Sequence, residues 1–521
     1  MDRVTLRVAL EFPASSHRLL IPTTRDALGV VTAAPTAASP HGSVLLSLEG
    51  ITRRFGDVVA LDNASFAVRA GTVHALLGEN GAGKTTLMRV AFGLLAADTG
   101  VVRVRGTSRS IASPAAAFDL GIGMVHQHFT LVPAMTVAEN VALGGHGRFD
   151  PTAAVQRVRD VAERTGLALD ASALVSTLNV GAQQRCEIVK ALARDVKLLI
   201  LDEPTAVLAP PEAADLLRWI RTFANAGNAV VLITHKLRDA LAVADDVTVL
   251  RRGRTVLTAS AAETTQDALR LAMVGAALDE STAHSHPATS VAKNAPVLLS
   301  AASVRFVDAR GAVRVRDVTL DVHAGEIVGI AAVEGAGQHE LLRLLAGRLE
   351  PRQGRITRPA HLGFVPEDRH RDALLLDAPL DENIALRGAG RRRGWMPWRA
   401  IREATTALLA ERDVRASGPR ALARTLSGGN QQKLILGREL ADAPEALVVE
   451  NPTRGLDFQA TATVLEALRD ARTNGAAVVL YSSDIDEVLQ LADRVFVMFG
   501  GQLGETARDR DAVGRAMLGS S

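Results

Sequence analysis

The stretch Gly78–Leu87 reads GENGAGKTTL and decides the fold expected for this chain. It follows a short apolar run, Thr72–Leu77 (TVHALL), and leads into Lys84–Leu94, where apolar residues recur at helical spacing. The predicted order is strand, glycine-rich loop and helix. The segment Gly78–Thr85 matches the pattern G-x-x-x-x-G-K-T at every fixed position. Such a P-loop points backbone N–H groups and a helix N-terminus at the phosphates of a nucleotide.

The charged and hydroxyl residues of this loop predict a site for a nucleotide with Mg²⁺. Lys84 would bridge the β and γ phosphates, and the hydroxyl of Thr85 would ligate the metal. A glycine turn before a core helix is the alternative, but it would not require the lysine and the threonine. The loop residues expected to contact the nucleotide are Gly78, Asn80, Gly81, Gly83, Lys84, Thr85 and Thr86.

Two further apolar runs end in residues that suit nucleotide hydrolysis. Leu198–Leu201 (LLIL) is a buried strand that delivers Asp202 and Glu203 at its end. We expect Asp202 to hold the metal and Glu203 to polarise the attacking water. A helix-capping acidic pair is the alternative. The run Ala229–Ile233 (AVVLI) places His235 beside the same site.

The chain contains an internal repeat. Leu178–Leu192 (LNVGAQQRCEIVKAL) aligns with Leu426–Leu440 (LSGGNQQKLILGREL) at an offset of 426 − 178 = 248 residues. Upstream, Gly78–Leu87 aligns with Ala332–Leu341 (AVEGAGQHEL) at an offset of 332 − 78 = 254. The second loop keeps its glycines but has lost the lysine and the hydroxyl. Two α/β domains therefore follow each other, and only the first carries a complete P-loop.

Composition places the boundaries of these domains. The polar stretch from residue 279 to 296 is typical of a linker, and the Ala-, Pro- and Ser-containing segment 1–43 is expected to be a poorly ordered extension. We call residues 44–278 the front half, with the catalytic P-loop, and residues 297–521 the rear half, with the degenerate P-loop.

Charge, cysteine content and hydropathy exclude several classes of protein. The net charge is 59 − 57 = +2, so no strongly basic face argues for nucleic acid. A single cysteine, Cys186, excludes an internal disulfide framework or a four-cysteine metal site and fits a reducing compartment. No run of 18 apolar residues and no signal-peptide pattern is present, so a membrane role would require a partner.

From Val44 onwards the chain resembles the ATP-binding subunit of an ABC transporter, of the fused double-domain type found in nucleoside and monosaccharide importers. The most specific motif is Leu426–Gln431 (LSGGNQ), which looks like the ABC signature before a helix that Ser427 can cap. The resemblance implies two tandem P-loop domains, each a mainly parallel core sheet with an antiparallel β subdomain and a helical subdomain. It also implies that Gln127 in MVHQHF senses the metal, and that Phe55 stacks on adenine; a core phenylalanine is the alternative.

In this family each ATP lies between the P-loop of one domain and the signature of the other. The front site would therefore combine P-loop and catalytic residues of the front half with the rear signature: Lys84, Thr85, Gln127, Asp202, Glu203, His235, Ser427, Gly428 and Gly429. The rear site would combine altered residues: Gln338, His339, Glu367, Glu450, Asn451, Ser483, Asn179, Val180 and Gly181. Because Gln338 has no charge and Asn451 cannot act as a base, we predict one hydrolytic site per chain.

The resemblance also implies partners and a location. Two transmembrane permease subunits would receive the force of ATP-driven closure, and an extracytoplasmic binding protein would supply the substrate; the chain itself would be peripheral on the cytoplasmic face of the membrane. Val365–Leu376 (VPEDRHRDALLL) is closer to the nucleoside branch than to the ribose and galactose branch.

Three alternatives to transport remain. A soluble ABC ATPase such as a translation factor would have two working sites and a long charged linker, and a DNA-repair ATPase would need zinc cysteines. A purely regulatory ATP-binding protein would remain if the front site never hydrolysed ATP.

Overall fold

The structure is a computed structural model that describes residues 42–56, 58–127, 129–145, 149–206, 208–275, 295–456 and 458–519. Of the predicted N-terminal extension, residues 1–41 lie outside the described residues, as do residues 279–294 of the predicted linker.

The front half alternates strands and helices after an initial antiparallel pair. Its strands are β1 (Val44–Phe55), β2 (Val58–Arg69), β3 (Val73–Leu77), β4 (Thr99–Val104), β5 (Thr107–Ser108), β6 (Ile122–Val125), β7 (Leu198–Asp202), β8 (Ala229–Ile233), β9 (Asp246–Arg251) and β10 (Arg254–Ser260). Its helices are α1 (Lys84–Ala91), α2 (Pro114–Asp119), α3 (Val137–Ala142), α4 (Pro151–Thr165), α5 (Val180–Leu192), α6 (Pro210–Asn225), α7 (Leu237–Val243) and α8 (Gln266–Val274).

The rear half repeats this order. Its strands are β11 (Val297–Val307), β12 (Val313–His323), β13 (Ile327–Ala332), β14 (Gln353–Thr357), β15 (Leu362–Val365), β16 (Ala446–Glu450), β17 (Ala477–Tyr481), β18 (Arg494–Phe499) and β19 (Gln502–Thr506). Its helices are α9 (Gln338–Leu345), α10 (Arg369–Asp372), α11 (Leu380–Ala385), α12 (Trp398–Glu411), α13 (Gly428–Leu440), α14 (Phe458–Thr473), α15 (Ile485–Leu491) and α16 (Arg510–Met517).

The core sheets of the two halves have the same topology, which confirms the predicted fold. The front core sheet has the order β6-β7-β8-β3-β9-β10 and the rear core sheet the order β15-β16-β17-β13-β18-β19. In both, all neighbours are parallel except the last pair. A separate antiparallel sheet, β2-β1-β4-β5 in front and β12-β11-β14 in the rear, forms the β subdomain.

Burial explains why the central strands are mainly apolar. Every residue of β3, β7 and β8 is buried, as is every residue of their rear counterparts β13, β16 and β17. Parallel strands are covered by helices on both faces, so alternation of apolar and polar residues is lost. The carboxyl ends of these strands meet at one edge, where the P-loops begin.

The two halves also pack on each other. Ala209, just before α6, belongs to the same buried apolar cluster as Val513 and Met517 of α16. Beside them, Gly514 lies against Pro210 and Pro211, so that an added Cβ would be 3.4 to 3.5 Å from the two proline rings. Within the described ranges, every helix is too short or too polar to cross a lipid bilayer.

Candidate functional site

The front P-loop connects β3 to α1 and holds its lysine inward. Gly83 has a φ of 103°, and a Cβ there would lie 2.8 Å from Ala60 O, so the position favours glycine. The buried Lys84 Nζ donates hydrogen bonds to Gly78 O at 2.8 Å and to Glu79 O at 3.0 Å. Burial is the main reason why the pKa of Lys84 is lowered. The ammonium group is therefore already inside the loop, where phosphate oxygens could replace the two carbonyls.

The structure brings Gln127, Glu203 and His235 together beyond the end of β7. Glu203 Oε2 accepts a hydrogen bond from Gln127 Nε2 at 3.3 Å, and Glu203 Oε1 lies 3.0 Å from His235 Nδ1. Burial raises the pKa of Glu203, but the bond with His235 and nearby cations lower it by more, so the net shift is downward. The carboxylate is thus held ionised and oriented, as a group that polarises water must be.

Asp202 meets the requirements of a metal site next to this carboxylate. It is buried, and burial raises its pKa, while a hydrogen bond from Thr85 acts in the opposite direction. Its Oδ1 atom is also buried and has no hydrogen-bond partner among the described residues. A buried, unpaired carboxylate oxygen beside a threonine hydroxyl is a donor set that fits Mg²⁺.

Phe55 lies at the surface, at the end of β1. Its side chain is 45% exposed, so its placement in the hydrophobic core, the alternative at sequence level, is excluded. The guanidinium of Arg53 lies 5.1 Å from the centre of its ring. The ring is thus partly exposed with a cation over it, and its contact with adenine remains a prediction.

The rear P-loop keeps the same backbone but is filled by its own side chains. Gly337 has a φ of 105°, close to that of Gly83, and precedes α9 in the same way. The fully buried Gln338 donates from Nε2 to Glu334 Oε2 at 3.4 Å and to Tyr481 OH at 3.3 Å. Tyr481, the only tyrosine of the chain, aligns with the smaller Ile233 of the front half. Gln338, the rear counterpart of Lys84, thus contacts the side chains of Tyr481 and Glu334.

Acidic residues surround the rest of the rear loop. His339 Nε2 lies 3.0 Å from Glu334 Oε1 and 3.8 Å from Glu367 Oε2. Asn451 Nδ2 donates to Glu367 Oε2 at 2.8 Å. Glu450 is buried, and burial raises its pKa to about 7. Carboxylates at the rear counterparts of the front nucleotide-binding residues oppose a further anion, and weak binding of MgATP at this loop is a prediction.

The two signature segments also differ in their surroundings. Ser427 accepts hydrogen bonds from Asn430 N at 3.5 Å and from Asn430 Nδ2 at 3.0 Å, so it caps α13 as predicted. Beside it, a Cβ on Gly429 would lie 3.4 Å from the methyl group of Ala460. In the front signature, a Cβ on Gly181 would collide with the carboxylate of Glu212, which aligns with Ala460. The rear signature is therefore the one whose surroundings suit a phosphate.

Contact between the halves reaches the front P-loop. Asn80 Nδ2 donates a hydrogen bond to Leu456 O at 2.8 Å, which joins the P-loop to the segment after β16. Gly81 and Thr86 lie in the same loop and first helical turn. The contacts of Ser427 and Gly428 described here are with their own half, so their approach to the front phosphates remains a prediction.

Sequence reasoning missed Tyr481, Glu334 and Glu212. Each stands where the aligned residue of the other half has a different chemistry, namely Ile233, Asn80 and Ala460. A position-by-position comparison of the two repeats would have indicated all three. Their contacts required the structure, because they join residues distant in sequence.

These features define a class of protein: a tandem P-loop nucleotide-binding chain with one intact and one degenerate loop. The model of the family "ABC transporter" matches residues 61–206 and 315–454, which together are more than half of the chain. The chain belongs to the ABC transporter family, and its two matched regions are ATP-binding domains, as the sequence resemblance indicated.

Several proteins of known function resemble the chain over most of its length. The nucleoside import ATP-binding protein NupA of Lactococcus lactis subsp. cremoris is 40% identical, covering 88% of this chain and 94% of that protein. The guanosine import ATP-binding protein NupO of Bacillus subtilis is 40% identical, with coverages of 92% and 98%. The glucose import ATP-binding protein TsgD13 of Haloferax volcanii is also 40% identical, with coverages of 91% and 96%. The chain is accordingly an ATPase of the importer type.

Proposed function

We propose that this chain hydrolyses ATP at the front site alone and that the movement of its two halves drives import. The observation that carries the proposal is the grouping of Gln127, Glu203 and His235 beside the P-loop that holds Lys84. At the aligned rear positions an amide, Asn451, stands in place of this carboxylate; it donates to Glu367 and accepts from Ser483 N.

Each front residue has a role that its position supports. Lys84 would neutralise the β and γ phosphates, Glu203 would accept a proton from the attacking water, and His235 would hold Glu203 in place. Phe55 would stack on the adenine ring. Thr85, Gln127 and Asp202 would hold Mg²⁺, which when bound supplies charge neutralisation between the β and γ phosphates. Gly428 and Gly429, with Ser427, would close the site from the rear half through the N-terminus of α13.

The Glu203→Gln variant tests the assignment. In the assembled transporter we expect steady-state ATP hydrolysis to fall by a factor on the order of 10² to 10⁴, because glutamine cannot accept the proton. The matched variant at the aligned rear position, Asn451→Ala, should retain most of the activity. Both proteins should bind ATP as the unchanged chain does. Equal losses in the two variants would contradict a single hydrolytic site.

We further propose that the chain acts as a peripheral subunit on the cytoplasmic face of the membrane, bound to two permease subunits. ATP would join the halves on binding and release them after hydrolysis, and the permeases would receive that movement through grooves near the Gln127 and Glu367 loops. An extracytoplasmic binding protein would deliver the substrate. Co-purification of permease chains with a tagged subunit tests this, and isolation of the chain without membrane proteins would contradict it.

We propose nucleosides as the imported substrate. Support comes from the two nucleoside-type relatives, each 40% identical, and from the segment Val365–Leu376, which resembles the nucleoside branch. Monosaccharides are the second candidate, because the glucose importer subunit is equally identical. The discriminating experiment measures binding of nucleosides and of monosaccharides to the cognate extracytoplasmic receptor. Sugar binding without nucleoside binding would overturn the preference.

A further inference from the structure

The feature from which this inference starts is Arg369, the first residue of α10. Its guanidinium connects two backbone segments of the rear half. One Nη atom donates to Gly428 O at 2.7 Å, and the other donates to Arg454 O at 2.6 Å. Both glycines lie beside the guanidinium, because a Cβ added to Gly428 or to Gly455 would be in van der Waals contact with these nitrogens, at 3.4 Å. A planar guanidinium is suited to hold two carbonyls at a fixed separation.

One of the two segments leads to the contact with the front P-loop, and the other is the signature proposed above to close the front site. Gly428 opens α13 directly after the cap Ser427, within the rear signature. Arg454 lies two residues before Leu456, whose carbonyl accepts the hydrogen bond from Asn80 of the front P-loop. Arg369 therefore couples the position of the signature to the point at which the rear half touches the front P-loop.

The rest of the rear loop anchors the Arg454 segment. The guanidinium of Arg454 forms an ion pair with Glu367, and Glu367 also accepts the hydrogen bond from Asn451. Glu367 and Asn451, which stand where the front half has Gln127 and Glu203, thus hold the turn after β16 in place. In the front half, whose signature is altered, the residue two positions after Gln127 is Phe129, which has no guanidinium.

We propose that Arg369 is a positioning residue for ATP hydrolysis at the front site. It fixes the distance between the rear signature and the segment that contacts Asn80, so that both reach the front nucleotide in register when the halves close. The inference rests on the composite front site proposed above. Displacement of a supporting group by about 1 Å can reduce a rate by about 10²-fold without loss of binding.

The test compares Arg369→Ala with Arg371→Ala in the assembled transporter. Arg371 lies in the same helical turn and its side chain is 75% exposed, so its removal controls for the loss of one positive charge. For Arg369→Ala we expect kcat for ATP hydrolysis to fall on the order of 10- to 100-fold, with KM for ATP changed less than about threefold. Arg371→Ala should leave both constants unchanged.

A conservative variant separates positioning from folding. Lysine keeps the charge but cannot hold two carbonyls in one plane, so Arg369→Lys should give an intermediate kcat with an unchanged KM and an unchanged Tm. Wild-type kcat in Arg369→Lys, or equal losses in the 369 and 371 alanine variants, would overturn the proposal. A parallel loss of ATP affinity and of Tm in both Arg369 variants would also overturn it.

Glu203→Gln is measured alongside, so that the two proposals fail separately. If Glu203→Gln loses activity and Arg369→Ala does not, the front site remains and the positioning role is wrong. If Glu203→Gln retains activity, the assignment of the front site itself is wrong.

Discussion

The two P-loops of this chain share a backbone and differ in chemistry. The glycines before α1 and α9, Gly83 and Gly337, have φ values of 103° and 105°, and both loops follow a fully buried parallel strand. Lys84 nevertheless turns inward onto two backbone carbonyls of its own loop, those of Gly78 and Glu79, whereas Gln338 bonds to the side chains of Tyr481 and Glu334. The shape of a phosphate loop thus depends on strands and glycines, while its function depends on a few side chains that can be lost separately.

The turns after β7 and β16 also share a backbone conformation and differ in side-chain chemistry. Glu203 and Asn451 both have positive φ, 48° and 41°, and both donate a backbone N–H to the neighbouring strand. Asparagine tolerates this region, while glutamate is strained there by about 1 kcal/mol or more. Strain of this kind persists where a side chain is needed for function, which fits the role proposed for Glu203.

Among the properties of the free chain, the largest contrast should be in ATP binding. Lys84→Ala should weaken ATP binding on the order of 100-fold, because it removes a charge-assisted contact to two phosphates. Gln338→Ala, at the aligned position, should leave the affinity nearly unchanged. Titration calorimetry of the two variants measures both values. Similar losses would show that the rear loop also binds ATP.

A smaller contrast is expected between the two signature caps. Both Ser427→Ala and Asn179→Ala remove an N-cap and should cost about 1 kcal/mol of stability. Only Ser427→Ala should reduce ATP hydrolysis in the assembled transporter, by about 10-fold, since its hydroxyl is proposed to complete the front site. Steady-state hydrolysis and thermal unfolding are measured together. An equal reduction in hydrolysis by Asn179→Ala would imply two working sites.

The smallest effect concerns the pH dependence of stability. Burial raises the pKa of Glu450 from an ordinary 4.5 to about 7, so between these values the folded protein retains a proton that the unfolded chain releases. Stability therefore falls as the pH rises from about 4.5 to about 7, and the full penalty remains above that range. Glu450→Gln should raise Tm by about 2–4 °C at pH 8 and leave it unchanged at pH 4. An equal shift at both pH values would assign the effect to packing instead.

Much of the front site could be predicted because its motifs are local. Lys84 and Thr85 stand next to each other in one loop, and Asp202 and Glu203 stand together at one strand end. Glu203 and His235 were also expected beside each other, since the carboxyl ends of adjacent parallel strands meet at one edge, and the family resemblance added Gln127. Alignment of the two repeats showed that Gln338 has replaced the charged lysine. The contact of Gln338 with Tyr481 could not be predicted, because Tyr481 lies 143 residues further along the chain.

The sequence by itself determined the duplicated α/β domains, the intact front loop and the altered rear loop. Strands, glycine turns and phosphate-binding motifs can each be recognised from a short continuous segment. Only the tertiary structure decided that Tyr481 and Glu334 fill the rear loop, that Glu212 lies against the front signature and that Arg369 links the rear signature to the turn after β16. The physical reason is that these contacts depend on which strand ends and helix starts become neighbours after packing. The spacing of residues along the sequence does not give the distances between such ends.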